Sequence, residues 1–210
     1  MVILGLTGSI AMGKSTAAGA FRRLGVPVHD ADRAVHRLFS AGGAAVPLVA
    51  KAFPHAVKGG AVDRKALGAL VFEDEAALAR LESIVHPLVR ADEERFLRCQ
   101  AGRRARLVVL DIPLLFESRG EWRCDAVVVV SAPAFLQAQR VLARPGMTRA
   151  RLVGILRRQM PDREKRRRAD FVVESGLGKR HGLRRIARIV KVMRARRGRR
   201  WPPKARFKRG

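Results

Sequence analysis

The chain opens with MVILGLTGSIAMGKST, residues 1–16, and this stretch decides the fold of the 210-residue protein. Residues 8–15 fit the pattern G-x-x-x-x-G-K-[ST], the signature of a phosphate-binding loop, or P-loop. The apolar run at residues 2–6 predicts a buried strand before the loop. Apolar residues after the loop recur at helical spacing and stop at Gly25, which predicts a helix. A strand, a loop and a helix in this order are the context that the motif requires.

The loop has the residue types that phosphate binding requires. Gly8 and Gly13 permit backbone conformations and close approaches that a Cβ atom would block. Backbone N–H groups can then surround phosphate oxygens, while Lys14 bridges the β- and γ-phosphates and the Ser15 hydroxyl ligates Mg²⁺. The residues expected to contact the nucleotide are Gly8, Ser9, Ile10, Ala11, Met12, Gly13, Lys14, Ser15 and Thr16.

Composition limits the class of protein. The length predicts one domain with elaborations, and the formal net charge is +26. Residues 179–210 carry 15 Lys/Arg and no Asp/Glu, which is more than half of that excess. Such a tail is compatible with nucleic acid, an acidic membrane surface or a solvated appendage, and the basic remainder also suits a polyanionic substrate.

Neither export nor membrane insertion is expected. No apolar run reaches the about 18 residues of a membrane span. The N-terminal apolar run leads directly into the P-loop and follows no charged segment, so we predict no signal peptide. Cys99 and Cys124 lie outside any C-x-x-C or metal-ligand spacing, which predicts reduced packing residues in a cytoplasmic protein.

Two carboxylates follow the next predicted strand. The run at residues 26–29 leads to Asp30-Ala31-Asp32, and the carboxyl ends of strands form the ligand crevice of open α/β sheets. Either Asp can accept a proton from an attacking hydroxyl or help to hold Mg²⁺. Either can equally cap the helix predicted over residues 33–39. The residue pattern leaves open which Asp does which.

Residues 40–106 differ in composition and predict an inserted, mostly helical section with breaks at Gly42-Gly43 and Gly59-Gly60. One helix is predicted to begin after Asp63. Another is predicted from Glu73 to Ile84, closed at His86-Pro87 because the residue before proline disfavours helix.

The second half of the chain predicts three more strands. Residues 107–111 form an apolar run that ends in Asp111, a candidate Mg²⁺ ligand of Walker B type. Residues 112–117 follow as an apolar loop that can shape an acceptor pocket. Residues 124–130 and 169–174 are the other predicted strands. Because strands alternate with helices, we predict an α/β fold with a parallel, doubly wound sheet between two layers of helices.

An arginine-rich stretch covers residues 134–165. Arg140 and Arg144 are four residues apart, so a helix would place both guanidinium groups on one face, where they can clamp phosphates when a lid closes. A solvated face is the alternative. Farther on, Ile186, Ile189, Val190 and Met193 predict an amphipathic helix, and residues 194–210 are expected to be disordered.

An ordered set of short motifs resembles the dephospho-coenzyme A kinase family over residues 2–178. The set comprises LTGSIAMGKST at residues 6–16, Asp30-Ala31-Asp32, His86-Pro87, Pro113-Leu114-Leu115-Phe116-Glu117, Gln139-Arg140 with Arg144, Gln159-Met160-Pro161 and Ala169-Asp170. The P-loop alone is shared by many proteins, whereas this order is specific.

The resemblance implies transfer of the γ-phosphoryl group of ATP, with Mg²⁺, to the 3′-hydroxyl of dephospho-coenzyme A, the last step of coenzyme A synthesis. It implies a kinase core at residues 1–35 and 106–178, a coenzyme A-binding insertion at about 36–105, and a lid at about 134–165. The family's general base corresponds to Asp32, and its lid arginine to Arg140. The residues implied near the acceptor are His86, Pro113, Leu114, Leu115 and Glu117. The family has a variable residue at the position of Asp111.

Two other functions fit part of the sequence. Another P-loop kinase would act on a nucleoside monophosphate or a sugar acid, and a nucleic-acid-binding NTPase would use the basic tail. A GTPase is disfavoured because the chain contains no asparagine for the N-K-x-D motif of GTPases. We expect the tail at residues 179–210 to make a weak, salt-sensitive contact with polyanions. The sequence makes no prediction of oligomeric state.

Overall fold

The computed structural model describes residues 1–71 and 74–202. The chain divides into two compact units, one formed by Met1–His29 with Gln100–Gly210 and the other by Asp30–Cys99. The predicted insertion at about 36–105 is therefore offset by several residues from the second unit.

The first unit is built on a five-stranded sheet. Its strands are β1 (Val2–Thr7), β2 (Val28–Asp30), β5 (Leu107–Asp111), β6 (Ala126–Ser131) and β7 (Phe171–Glu174), in the spatial order β2-β5-β1-β6-β7. β1 pairs in parallel with both β5 and β6, and β6 pairs in parallel with β7. The predicted parallel α/β sheet is confirmed.

The register of this sheet brings the ends of three strands to one edge. Leu6 of β1 pairs with Asp111 of β5 and with Val128 of β6. The loop after β1 therefore begins beside the last residue of β5. In open α/β sheets this carboxyl edge is where ligands bind.

Within the described residues, five α-helices belong to the first unit: α1 (Lys14–Arg23), α6 (Ala134–Leu142), α7 (Arg149–Arg157), α8 (Asp162–Arg168) and α9 (Lys179–Arg194). Apolar side chains of α1 and α9 pack with those of the strands in one core cluster. Ile186, Ile189, Val190 and Met193 are the buried face of α9, as their spacing predicts. α9 is thus a component of the core.

The chain beyond α9 differs from the disorder expected from residue 194 onward. The Asp125 carboxylate accepts hydrogen bonds from the backbone N–H groups of Arg199 at 2.6 Å and Arg200 at 3.2 Å. Its other oxygen accepts the N–H of Ile3 at 2.7 Å. Composition alone did not show this because the tail is ordered by a carboxylate distant in sequence. Residues 203–210, included in that expectation, lie outside the described residues.

The second unit, as far as the structure describes it, contains four α-helices and a hairpin. Its helices are α2 (Ala31–Phe39), α3 (Val46–Ala52), α4 (Arg64–Val71) and α5 (Glu75–Gly102), and its hairpin pairs β3 (Val57–Lys58) with β4 (Ala61–Val62). α4 begins after Asp63 as predicted, and N–H groups of Ala66 and Lys65 help to lower the Asp63 pKa. The mostly helical prediction missed the hairpin, whose turn is Gly59-Gly60 with positive φ at both residues.

The predicted end of a helix at His86-Pro87 is wrong. α5 continues through Pro87 to residue 102, although an internal proline removes a hydrogen bond and costs about 3 kcal/mol. Val85 before the proline and Leu88 and Val89 after it pack in the same apolar core. Full burial of such a side chain contributes about 1.5–3 kcal/mol. Val85 is buried and Leu88 and Val89 are partly buried, and their combined packing offsets the local preference. Glu73, where the helix was predicted to begin, lies outside the described residues.

Among residues 1–71 and 74–202, none of the helices combines the length and the apolar composition that crossing a bilayer requires.

The packing of α9 predicts a large effect of Ile189→Ala on stability. Ile189 is 2% exposed, so we expect its truncation to lower the free energy of unfolding by about 2–4 kcal/mol. Val192→Ala on the same helix is the control, because Val192 is 44% exposed and its truncation is expected to cost about 0.5 kcal/mol. Urea denaturation measures both variants, and equal losses would contradict a core role for α9.

Candidate active site

The backbone of the P-loop packs tightly against β6. A Cβ atom on Gly8 would lie 2.6 Å from the carbonyl oxygen of Val130, so a residue with a side chain does not fit there. Gly13 has φ of 94°, in the left-handed region that glycine adopts without strain. Steric constraints therefore explain why glycine occupies both positions of the motif. Together the two glycines fix the path of the loop into α1.

The N-terminus of α1 is available to a ligand. Gly13 occupies the capping position, and no side-chain hydrogen bond caps this helix. The first N–H groups of a helix lack partners within it and carry positive dipole charge, which favours phosphate. Ser15 and Thr16 in this first turn are exposed, so their hydroxyl groups are accessible.

The Lys14 ammonium is held beside the loop by Asp111. The Nζ atom lies 2.7 Å from Oδ1 of Asp111, and the Asp111 side chain is only 3% exposed. Asp111 is the last residue of β5, which pairs with β1 next to the loop. In this structure the Walker B-type carboxylate therefore orients the lysine.

Two glutamine side chains hold the P-loop at Ile10. The Ile10 N–H donates to Oε1 of Gln159 at 3.1 Å, and its carbonyl oxygen accepts from Nε2 of Gln137 at 2.9 Å. Gln137 belongs to α6, and Gln159 lies between α7 and α8. Segments from the second half of the chain thus fix the loop backbone.

A second group of contacts holds the loop near Gly13. The Ser175 hydroxyl donates to the Met12 carbonyl at 2.6 Å and accepts from Nη1 of Arg140 at 2.9 Å. Arg140 also donates to the Ser175 carbonyl at 3.1 Å and to the Ala11 carbonyl at 3.4 Å. Arg140 therefore lies against the P-loop in this structure.

The predicted pairing of Arg140 and Arg144 on one helical face is wrong. α6 ends at Leu142, and Arg144 lies beyond it as an exposed residue. Arg144 precedes Pro145, whose ring disfavours the helical conformation of the residue before it. Of the two arginines, Arg140 donates to the loop backbone, at the Ala11 carbonyl.

The loop after β5 begins close to the P-loop. The Thr7 hydroxyl at the end of β1 donates to the Pro113 carbonyl at 2.9 Å. Leu114 is 44% exposed, whereas Leu115 is fully buried against Gly5. Of the two leucines predicted to face the acceptor, Leu114 has the accessible side chain.

Glu117 at the end of this loop points toward protein groups. Its Oε1 atom accepts the Met160 N–H at 2.8 Å and lies 2.9 Å from Nζ of Lys165. The Lys165 side chain is completely buried, and that of Glu117 is 17% exposed.

The second unit separates the roles of the two aspartates that the sequence left open. Asp30 caps α2, because its carboxylate accepts the Arg33 N–H at 3.0 Å. Asp32 in the first turn is exposed, and its carboxylate is not used as the cap. Arg37 of α2 pairs with Asp92 of α5 at 2.8 Å, which orients the helix that carries Asp32.

His86 lies on the exposed surface of α5, in the interior of a continuous helix. Its predicted place near the acceptor stays a prediction.

Four residues of this arrangement were not among the predicted site residues: Gln137, Gln159, Lys165 and Ser175. Gln159 belongs to a motif that carries the family resemblance, so a signal for it was present. Ser175 and Gln137 act on loop carbonyl groups more than 120 residues away in sequence, and no local pattern indicates such contacts.

A phosphate-binding loop at the carboxyl edge of a parallel sheet, with an ammonium group held beside it, is the arrangement of P-loop kinases. The family model CoaE, dephospho-CoA kinase, matches residues 2–178. The chain therefore belongs to the dephospho-CoA kinase family. This membership confirms the kinase function and enzyme class predicted from the sequence, consistent with the final step of coenzyme A biosynthesis.

Individual relatives agree with this assignment. The chain is 70% identical to the dephospho-CoA kinase of Paramagnetospirillum magneticum over 166 residues, which cover 79% of this chain and 78% of that protein. It is 56% identical to the dephospho-CoA kinase of Mesorhizobium japonicum over 198 residues, which cover 94% of this chain and 100% of that protein. The crystal structure of TT1252 from Thermus thermophilus superposes with a TM-score of 0.79 at 41% identity, covering 91% of this chain and 96% of that one.

The Ser175 contacts predict a specific defect in Ser175→Ala. Without the hydroxyl, the Met12 carbonyl loses a donor and Arg140 loses an acceptor, so the loop is less well ordered for the nucleotide. We expect the KM for ATP to rise about 3- to 10-fold, as for the loss of one or two modest hydrogen bonds. Ser40→Ala is the control, since that hydroxyl donates to the His36 carbonyl of its own helix region. Steady-state kinetics in ATP measure both variants, and an unchanged KM for Ser175→Ala would contradict the loop-ordering role.

Proposed function

We propose that this protein transfers the γ-phosphoryl group of ATP to the 3′-hydroxyl of dephospho-coenzyme A, with Mg²⁺ as the metal. The observation that carries the proposal is the P-loop at the uncapped N-terminus of α1, with Lys14 held beside it, in a chain of the dephospho-CoA kinase family. A cytoplasmic location is part of the proposal, supported by the finding that neither Cys99 nor Cys124 lies in a disulfide within the described residues.

On the donor side, the loop N–H groups and Lys14 bind the phosphates of ATP. Lys14 either leaves Asp111 for the β- and γ-phosphate oxygens or contacts the carboxylate and the phosphates at the same time. Ser15 is the protein ligand of Mg²⁺, supported by its exposed position in the first turn of α1. When bound there, Mg²⁺ would supply neutralisation of the phosphate charge during transfer. Asp111 is a less favoured ligand, because its carboxylate is engaged by Lys14.

On the acceptor side, Asp32 orients and deprotonates the 3′-hydroxyl. Its exposed carboxylate supports this role, whereas Asp30 is used as a helix cap. We propose that the unit Asp30–Cys99 binds dephospho-coenzyme A, with His86 contributing from α5. Leu114, in the loop after β5 of the first unit, is proposed as an acceptor-binding residue on the strength of its exposed side chain. A general base of this kind contributes about 10²–10⁴-fold to the rate.

The lid at about 134–165 comprises α6, α7 and the start of α8. Arg140 stabilises the transferring phosphoryl group from this segment, supported by its contact with the P-loop backbone. Arg144, exposed beyond α6, is available for the nucleotide. Electrostatic groups of this kind are worth about 10²–10³ in rate each.

Replacement of Asp32 tests both the substrate and the base. We expect Asp32→Asn to lower the dephospho-coenzyme A-dependent kcat by about 10²–10⁴-fold. Asp30→Asn is the matched control, because an amide oxygen still accepts the Arg33 N–H, and its kcat should remain within about threefold of the wild type. Coupled ADP release with ATP and Mg²⁺, with and without dephospho-coenzyme A, measures all three proteins.

A kcat that survives Asp32→Asn but is lost in Asp30→Asn would move the base to Asp30. Wild-type turnover that does not respond to dephospho-coenzyme A would contradict the proposed substrate. Turnover with a panel of nucleoside monophosphates and sugar acids would then identify the phosphoryl acceptor.

We further propose that the basic surface of α9 binds polyanions weakly and takes no part in catalysis. Lys179, Arg180, Arg184, Arg188 and Lys191 are exposed on this helix, and residues 179–210 contain no acidic residue. The apolar face of α9 is buried in the core, so it cannot insert into a membrane. The exposed arginines can recognise the phosphate groups of a polyanion through paired hydrogen bonds.

Substitution is the suitable test of this surface, because truncation before residue 179 would remove part of the core. We expect Arg180→Gln/Arg184→Gln/Arg188→Gln to weaken binding to single-stranded RNA and to reduce the slope of log K against log salt by about 2. The control is Arg80→Gln/Arg95→Gln/Arg98→Gln on α5, which removes the same charge from exposed positions elsewhere. Fluorescence anisotropy at several salt concentrations measures both, and equal effects would contradict a specific role of α9.

A further inference from the structure

A buried ion pair lies between the loop after β5 and helix α8. Nζ of Lys165 is 2.9 Å from Oε1 of Glu117, and the lysine side chain has no exposed surface. Removing an ammonium group from water is costly unless an opposite charge lies beside it. The buried lysine therefore holds the Glu117 carboxylate toward the protein interior.

The same carboxylate oxygen has a second partner. Oε1 of Glu117 accepts the backbone N–H of Met160 at 2.8 Å, and the Oε2 atom is buried as well. Glu117 thus joins the loop after β5 to two points of the later chain, Met160 and Lys165.

The residue next to Met160 reaches the P-loop. Oε1 of Gln159 accepts the Ile10 N–H at 3.1 Å. Two consecutive residues, Gln159 and Met160, therefore connect the P-loop on one side with Glu117 on the other. Thr7 holds the opposite end of the same loop through the Pro113 carbonyl. Residues 113–117 are consequently fixed at both ends relative to the phosphate-binding loop.

We propose that Glu117 and Lys165 are positioning residues, which fix the loop at residues 113–117 relative to the P-loop so that acceptor and donor are aligned. The inference rests on the proposed function, in which this loop lies toward the acceptor. Phosphoryl transfer depends mainly on alignment and charge stabilisation, and a displacement of about 1 Å can cost 10²-fold in rate. Glu117 then acts through the loop and does not touch the substrate.

The alternative is that Glu117 binds dephospho-coenzyme A directly. Variants that remove one or both charges of the ion pair separate the two roles. In Glu117→Gln, the amide oxygen still accepts the Met160 N–H, but Lys165 is left as an unpaired buried charge. In Lys165→Met, the carboxylate is left unpaired. In the double variant no buried charge remains, the Met160 contact is retained, and an apolar side chain of similar length fills the lysine site. Such replacement of a whole buried pair is often neutral.

The test is steady-state kinetics of the full-length protein with ATP, Mg²⁺ and dephospho-coenzyme A, together with the thermal unfolding midpoint. We expect each single variant to lower kcat by about 10- to 100-fold and to change the KM for dephospho-coenzyme A by less than about threefold. The kcat of the double variant should be at least about tenfold higher than that of the single variants, and most of the lost thermal stability should return. Glu164→Gln is the control, since Glu164 pairs with Arg168 on the exposed side of α8 and should keep wild-type kinetics.

Two results in an active enzyme would overturn the proposal. A raised KM in Glu117→Gln that Lys165→Met does not correct would assign Glu117 to substrate binding. Single variants that unfold at lower temperature but keep the wild-type kcat would show a purely structural pair. If neither single variant folds, the double variant decides: a nearly normal kcat and KM supports the proposal, and a raised KM overturns it. A wild-type protein that does not phosphorylate dephospho-coenzyme A would instead overturn the proposed function, and the positioning role with it.

Discussion

The close approach of the P-loop backbone to β6 is the constraint on which the rest of the site depends. Gly8 passes the Val130 carbonyl at a separation that leaves no space for a side chain. Gly13 then turns the chain into α1 through a positive φ angle. These two steric conditions direct the N-terminus of α1 and its unpaired N–H groups toward the position of a phosphate. Lys14, the first residue of that helix, is placed beside Asp111 by the same turn.

The loop is not held by its own sequence alone. Side chains from α6, from the connection between α7 and α8, and from the end of β7 contact the backbone at Ile10, Ala11 and Met12. The lid predicted from the arginine-rich stretch is therefore also part of the support of the donor site. If this segment closes as predicted, its motion would change the hydrogen bonds that hold the P-loop.

Charge is distributed differently inside the first unit and on its surface. Two lysines of the site are paired with carboxylates: the partly buried Lys14 with Asp111 and the fully buried Lys165 with Glu117. The positive excess lies on exposed positions, especially on α9 and the residues after it. Unpaired charges in the interior would destabilise the fold, whereas exposed arginines cost little and remain available to polyanions. The high net charge is thus compatible with a well-packed core.

The sequence by itself determined the P-loop, the parallel sheet, the helix that follows the loop and the start of α4. Each leaves a local pattern in the sequence: continuous apolar runs, helical spacing, capping aspartates or glycines with positive φ. The tertiary structure alone decided that α5 continues through Pro87, because apolar contacts on both sides of the proline outweigh its local preference. It also decided that Asp125 orders the backbone at Arg199 and Arg200, and that Lys165 pairs with Glu117. These partners are distant along the chain, and their contact energy arises only after the strands and helices have packed.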